Sequence, residues 1–160
     1  MKIIVITGTP GVGKSTLAKK LVKTFNFKRI DLHQHYKQIS TGYNRKKQSY
    51  DIDLKKFKQL IKDKAKKNNL IIDSHIAHLL PKEMVDLCLV LTCSDLKKLE
   101  RRLKKRKYSA GKIRENLDAE IFQVCLSEAR ERGHELLTVE QSFNLSKLIK
   151  KIKLILAQDI

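Results

Sequence analysis

Residues 8–15 read Gly-Thr-Pro-Gly-Val-Gly-Lys-Ser, and few octapeptides constrain a fold as tightly. The run satisfies Gly-x4-Gly-Lys-[Ser/Thr]. The apolar stretch Ile3-Ile4-Val5-Ile6 precedes it, and Ser15-Thr16-Leu17-Ala18-Lys19-Lys20-Leu21 follows as a helix. In that strand–loop–helix setting, glycines at 8, 11 and 13 let the backbone turn tightly and aim N–H groups at a polyphosphate. The helix adds unpaired N–H groups and the positive end of its dipole. Lys14 reaches the outer phosphates, and Ser15 offers a hydroxyl to magnesium. A chance glycine-rich turn would lack the flanking strand and helix. The motif implies a site for a nucleoside triphosphate with Mg2+.

The remaining pattern alternates. Phe27 to Leu32 reads as a second strand, and residues 33–50 as a polar, irregular stretch. Asp53 is placed to cap a helix running to about Lys67, with Phe57, Leu60 and Ile61 on one face. Leu70-Ile71-Ile72-Asp73 is a buried strand type, and Leu87 to Thr92 is another. Ser94 or Asp95 caps a helix carrying Leu96, Leu99 and Leu103. A long helix is expected from Lys112 to Glu131, stopped by Gly133. Glu135 to Val139 gives a fifth strand, and Leu145 to Leu156 a last helix. Strands alternating with helices predict an α/β fold: one domain over residues 1–160, with a parallel sheet covered on both faces.

Composition bounds the setting. Lys and Arg total 35 against 17 Asp and Glu, a net charge of +18. One ATP site does not require such a field, which attracts polyanions and gives salt-sensitive contact with nucleic acid. A lysine-rich, heat-adapted surface is the alternative, although there Glu rises with Lys. Cys88, Cys93 and Cys125 show no metal-ligand spacing and read as free thiols. With strand and loop starting at once, no signal peptide is expected, and the chain reads as cytoplasmic.

Further chemistry clusters after the strands. Asp73, at a strand end, is placed to hold magnesium directly or through water. His75 follows two residues later, where it can orient a water or a phosphate oxygen, and His78 reads as a structural histidine. Arg101 and Arg102 fit either a phosphate clamp or a solvated basic face. Arg106 opens a short lid, about residues 105–115, that can close over a nucleotide. His33, His35, Tyr36, Lys37 and Gln38 lie beyond the second strand, where ligands of open α/β sheets gather. That stretch, about residues 31–52, is the candidate acceptor arm.

Several passages together resemble one family. They are the loop at 8–15, Ile72-Asp73-Ser74-His75, Arg106-Lys107-Tyr108, Glu115-Asn116 and Glu120-Ile121-Phe122-Gln123-Val124. They are similar to the adenylate kinases of archaea and to their eukaryotic relatives, the nuclear or coilin-interacting adenylate kinases. The resemblance implies a P-loop NTPase of nucleoside-monophosphate-kinase type, three layers deep, with a five-stranded parallel sheet of order 2-3-1-4-5. It implies transfer between ATP and AMP, ATP hydrolysis, and a role in small-subunit maturation through binding ribosomal protein uS11, to which the basic charge adds an expected contact with small-subunit rRNA. By matching position, Gly11, Val12, Gly13, Lys14, Ser15, Thr16 and Arg106 bind ATP. Ser15 and Asp73 hold Mg2+, and Asp73 with His75 forms a Walker-B-like pair. His33 and Lys37 face AMP. Lys37 stands where the family pattern has an arginine, and lysine lacks the bidentate fork. The alternatives are an assembly ATPase without AMP transfer, or a kinase for another small molecule or for an RNA end.

Overall fold

The computed structural model describes residues 1–157, so the end of the expected domain, 158–160, lies outside the described residues. Strand β1 (Ile3–Thr7) is buried along its whole length and feeds the glycine loop, which opens helix α1 (Lys14–Phe25). Strand β2 (Lys28–Asp31) leads into a 3-10 turn at Leu32–His35 and the short helix α2 (Tyr36–Ile39). Strands β3 (Ser40–Asn44) and β4 (Ser49–Ile52) form an antiparallel hairpin. Helix α3 (Leu54–Ala65) follows, then β5 (Leu70–Asp73) and β6 (Leu87–Thr92). Helices α4 (Leu96–Lys105), α5 (Ala110–Ile121) and α6 (Val124–Glu131) precede β7 (Leu136–Glu140) and α7 (Leu145–Ala157).

The main sheet runs β2-β5-β1-β6-β7, all parallel. Numbered among themselves these strands have the order 2-3-1-4-5, as expected. The period-2 alternation of β1 splits the core. Ile4 and Ile6 pack with Leu17 and Leu21 of α1, Leu99 and Leu103 of α4, and Ile152 of α7. Ile3 and Val5 pack on the other face with Phe57 and Ile61 of α3 and Ala129 of α6. Among the described residues no helix is long and apolar enough to cross a membrane.

Local chemistry sets the element ends. The Asp53 carboxylate accepts from the amides of Lys55 and Lys56 at 2.9 and 3.2 Å, capping α3 as expected. Of the two candidates before α4, Asp95 is the cap, accepting from the Lys98 amide at 2.9 Å.

Two stretches differ from the sequence pattern. The helix expected over 112–131 is broken, because Phe122 ends α5 and Gln123 takes a left-handed φ of 53° before α6 begins. The break lets α5 present Ile113 to one core while α6 presents Ala129 to the other, which one straight helix cannot do. No Gly or Pro marks it. Residues 33–50, expected to be irregular, instead contain the 3-10 turn, α2 and most of the hairpin. The hairpin turn carries Arg45, Lys46 and Lys47 in place of the usual Asn-Gly signal. Gln48 supplies its positive φ, and the Asn44 side chain accepts from the Lys47 amide at 3.1 Å.

Candidate functional site

Parallel pairing brings the chemistry to one edge. Ile6 of β1 stands beside Asp73 of β5 and Leu89 of β6, so the phosphate loop leaves the sheet next to the Asp73 carboxylate. The loop needs its glycines. Gly8 has φ 140°, and a Cβ there would meet the Leu91 carbonyl oxygen at 2.3 Å. Gly13 has φ 107° as the residue before α1. A side chain at either position would strain the turn that points amides inward.

Lys14 is buried, and its ammonium donates to the carbonyls of Gly8 and Thr9 at 2.7 and 2.9 Å. Burial pulls its pKa down to about 8, with nearby Arg106 acting in the same direction. The charge is thus folded against the loop, with Asp73 and Glu120 only partly offsetting the cost of its burial. An incoming phosphate would supply an anionic partner.

Ser15 Oγ donates to Asp73 Oδ2 at 2.8 Å. A hydroxyl and a carboxylate are hard oxygen donors, and few protein ligands with phosphate oxygens completing the shell is the usual Mg2+ pattern. Among the described residues no group of three or more acidic, His or Cys side chains forms a metal cage. The pair therefore fits a nucleotide-borne Mg2+ rather than a cation held by protein alone.

A residue not singled out from the sequence joins them. Arg29 of β2 holds Asp73 in a two-pronged bond, Nε to Oδ1 at 2.8 Å and Nη2 to Oδ2 at 2.9 Å, and its Nη2 also reaches Asp31 at 3.2 Å. Asp73 is 1% exposed, and the guanidinium gives this buried carboxylate a paired cation. Only the β2–β5 pairing could reveal it. Arg29→Met should cost about 2 kcal/mol of stability, less than a fully buried pair because a fifth of the Arg29 side chain stays in solvent. Mg2+ should raise the melting temperature of this variant more than that of the parent protein, by replacing the lost cation. Equal Mg2+ responses in thermal melts would contradict this role.

His75 lines the cleft, and burial lowers its pKa to about 3, so the imidazole is neutral near pH 7. Its Nδ1 lies 3.4 Å from the Tyr36 hydroxyl, which also bonds Ser74 Oγ at 2.8 Å. His78 is structural, as expected: it is buried, with Nδ1 at 2.6 Å from Thr7 Oγ1 and Nε2 at 2.6 Å from Glu128.

The cleft above these groups has a volume of about 1000 Å3, at the upper end of the range for ligand pockets. Gly11, Gly13, Lys14, Ser15, Thr16, His33 and Arg106 all border it. Val12 is buried beneath the loop among the core residues. Lys37 is exposed on α2 and does not line the cleft, whereas Tyr36 and Tyr50 do. The arm thus meets the cleft with aromatic rings rather than with the expected lysine. Arg106 ends α4 and is followed by Lys107 at φ 57°, so it stands at the turn into the lid stretch. Arg102 Nη1 donates to the carbonyl of Gly11 and to Gln141, both at 3.0 Å, bracing the loop. Arg101 lies exposed on the same helix, outside the cleft. Glu120, whose role the sequence did not disclose, turns inward to accept from the Cys93 amide at 2.6 Å and anchors α5 behind the site.

A parallel α/β sheet with a phosphate loop beside a buried aspartate, facing an arm across one cleft, defines a P-loop protein of the nucleotide-kinase class. A model of the AAA domain family matches residues 4–123. The chain is 40% identical over 139 residues to the Schizosaccharomyces pombe "Adenylate kinase isoenzyme 6 homolog", covering 86% of this chain and 79% of that one. It is 35% identical over 155 residues to the Methanocaldococcus jannaschii "Putative adenylate kinase", covering 94% and 85%. It belongs to this family of adenylate kinase isoenzyme 6 homologues and archaeal adenylate kinases. Among solved structures, shikimate kinase from Acinetobacter baumannii superposes with a TM-score of 0.65 at 13% identity, over 100% of this chain and 96% of that one. Deoxyadenosine kinase from M. mycoides gives 0.60 at 18% identity, over 98% and 100%. These two show the shared fold.

Proposed function

We propose that the protein transfers the γ-phosphoryl group of ATP to AMP, giving two ADP, and hydrolyses ATP when no acceptor is bound. The observation that carries this reading is the single cleft. The phosphate loop with Ser15 and Arg106 borders one side, with Asp73 buried behind Ser15, and the arm residues His33, Tyr36 and Tyr50 border the other. In transfer, an oxygen of the AMP phosphate bonds to Pγ while the bond from Pγ to the β–γ bridging oxygen breaks. Mg2+, when bound with ATP, neutralises phosphate charge. The protein's own contribution is position and field: loop amides and Lys14 hold the phosphates, Asp73 orients Ser15, and Arg106 approaches from the lid.

A second reading, hydrolysis without appreciable transfer to AMP, draws on the position of Lys37. It is exposed away from the cleft, and no arginine of the arm lines the cleft to grip an AMP phosphate. His75 separates the two chemistries. A neutral imidazole can position a water, whereas AMP brings its own nucleophile. His75→Ala should lower phosphate release by about 10-fold or more while lowering ADP formation from ATP and AMP by less. Equal losses would instead make His75 a support for the fold.

The resemblance to the nuclear kinases extends the reading to small-subunit maturation in the cytoplasm, with ribosomal protein uS11 and rRNA as partners. The net charge of +18 suits the rRNA contact. A direct uS11 complex should co-purify at moderate salt after nuclease treatment. Loss of recovery with nuclease would leave RNA as the only bridge.

A further inference from the structure

We infer that the acceptor arm is a binding site for the unpaired end of a single-stranded nucleic acid, entered from the β3–β4 hairpin. The inference deepens the acceptor side of the proposed function and rests on that reading of the cleft.

Tyr43 and Tyr50 face each other across the hairpin with centroids 5.1 Å apart, and Tyr50 continues to Tyr36 at 5.9 Å. Tyr36 reaches His33 at 4.9 Å and His75 at 6.4 Å. This run of aromatic rings begins at the surface, where Tyr43 is 54% exposed, and ends at His75 beside Asp73. Flat rings are what unstacked bases bind.

Charge surrounds the entrance. Arg45, Lys46 and Lys47 occupy the hairpin turn, all exposed, with no acidic residue between β3 and β4. Lys105 and Lys112 lie across the mouth from them, and the Lys112 ammonium donates to the Lys47 carbonyl at 3.3 Å. The hairpin and α5 therefore share a rim with a cationic excess, in which Glu115 pairs with Lys112 at 3.3 Å. Cations that track a backbone, alternating with rings that take bases, are the composition of single-strand sites. A free mononucleotide needs neither the exposed Tyr43 nor three cations at the turn. A strand whose terminal nucleotide enters the cleft uses both. A duplex keeps its bases stacked and cannot use the rings.

The test is fluorescence anisotropy with an end-labelled oligouridylate of about eight nucleotides, within the usual site size for such proteins. Binding should weaken as salt rises and be several-fold tighter than for a duplex of equal length. Tyr43→Ala should weaken it by about 10-fold, the range for loss of one stacked base, while Tyr43→Phe should bind within about 3-fold of the parent. Replacing Arg45, Lys46 and Lys47 together with serine should flatten the log–log salt slope by about 2, given roughly 0.7 per phosphate on single strands. AMP should compete, because the strand end enters the same cleft. The inference is overturned if the duplex binds equally well, if Tyr43→Ala binds like the parent, or if AMP does not compete, since each outcome leaves only diffuse surface charge. Phosphate-transfer assays on the same protein separate the two claims. ADP formation from ATP and AMP without oligomer binding defeats this inference alone, and oligomer binding without ATP turnover defeats the kinase reading.

Discussion

Lys14→Ala is expected to abolish transfer to AMP and ATP hydrolysis together, each by about 100-fold or more. Both reactions move the same phosphoryl group, and charge stabilisation dominates its transfer. Lys14 is the only cationic residue within the loop, and it is buried. Its ammonium lies 2.7 and 2.9 Å from the Gly8 and Thr9 carbonyls, held against the loop that borders the cleft. Alanine removes this charge, and water cannot replace it as a fixed cation. Fold integrity is checked by the thermal melt, because the core beside α1 rests on Leu17, Ala18 and Leu21 and not on Lys14. A folded variant that turned over ATP at a near-normal rate would contradict the assignment of the loop.

Arg106→Ala is expected to lower maximal turnover by about 100-fold while changing ATP affinity by only a few-fold. Arg106 is exposed at the end of α4, just before the left-handed Lys107, so its present position gives little ground-state contact. Its charge already acts on Lys14, which places it within electrostatic reach of the phosphate site. A guanidinium that meets the phosphates only when the short lid closes contributes mainly in the transition state. The split between rate and affinity distinguishes this from simple attraction. Weaker ATP binding by titration calorimetry with unchanged maximal rate would contradict the lid role.

How far these residues were legible in the sequence depends on the range of the interaction. The phosphate loop is a local motif, so Gly8 to Ser15 announced both its turn and its chemistry. Asp73 was legible as a carboxylate ending an apolar strand, and the parallel sheet followed from alternation of strand and helix. Arg29 was hidden because its partner lies 44 residues away and meets it only through the β2–β5 register. The α5–α6 break was hidden because Gln123 is an ordinary residue whose φ is imposed by two cores on opposite faces of the sheet. In the arm, Lys37 drew attention by charge and by alignment, yet on α2 it points away from the cleft while adjacent Tyr36 faces inward. A helix of four residues leaves too little periodicity to distinguish those neighbours.

Product analysis tests most directly whether donor and acceptor share one cleft. The protein, Mg2+ and ATP are incubated with and without AMP, and ADP and inorganic phosphate are quantified in the same samples. AMP is expected to divert the reaction, giving two ADP for each ATP consumed and little free phosphate. ADP and phosphate formed in equal amounts, with AMP left unconsumed, would contradict it and leave an ATPase.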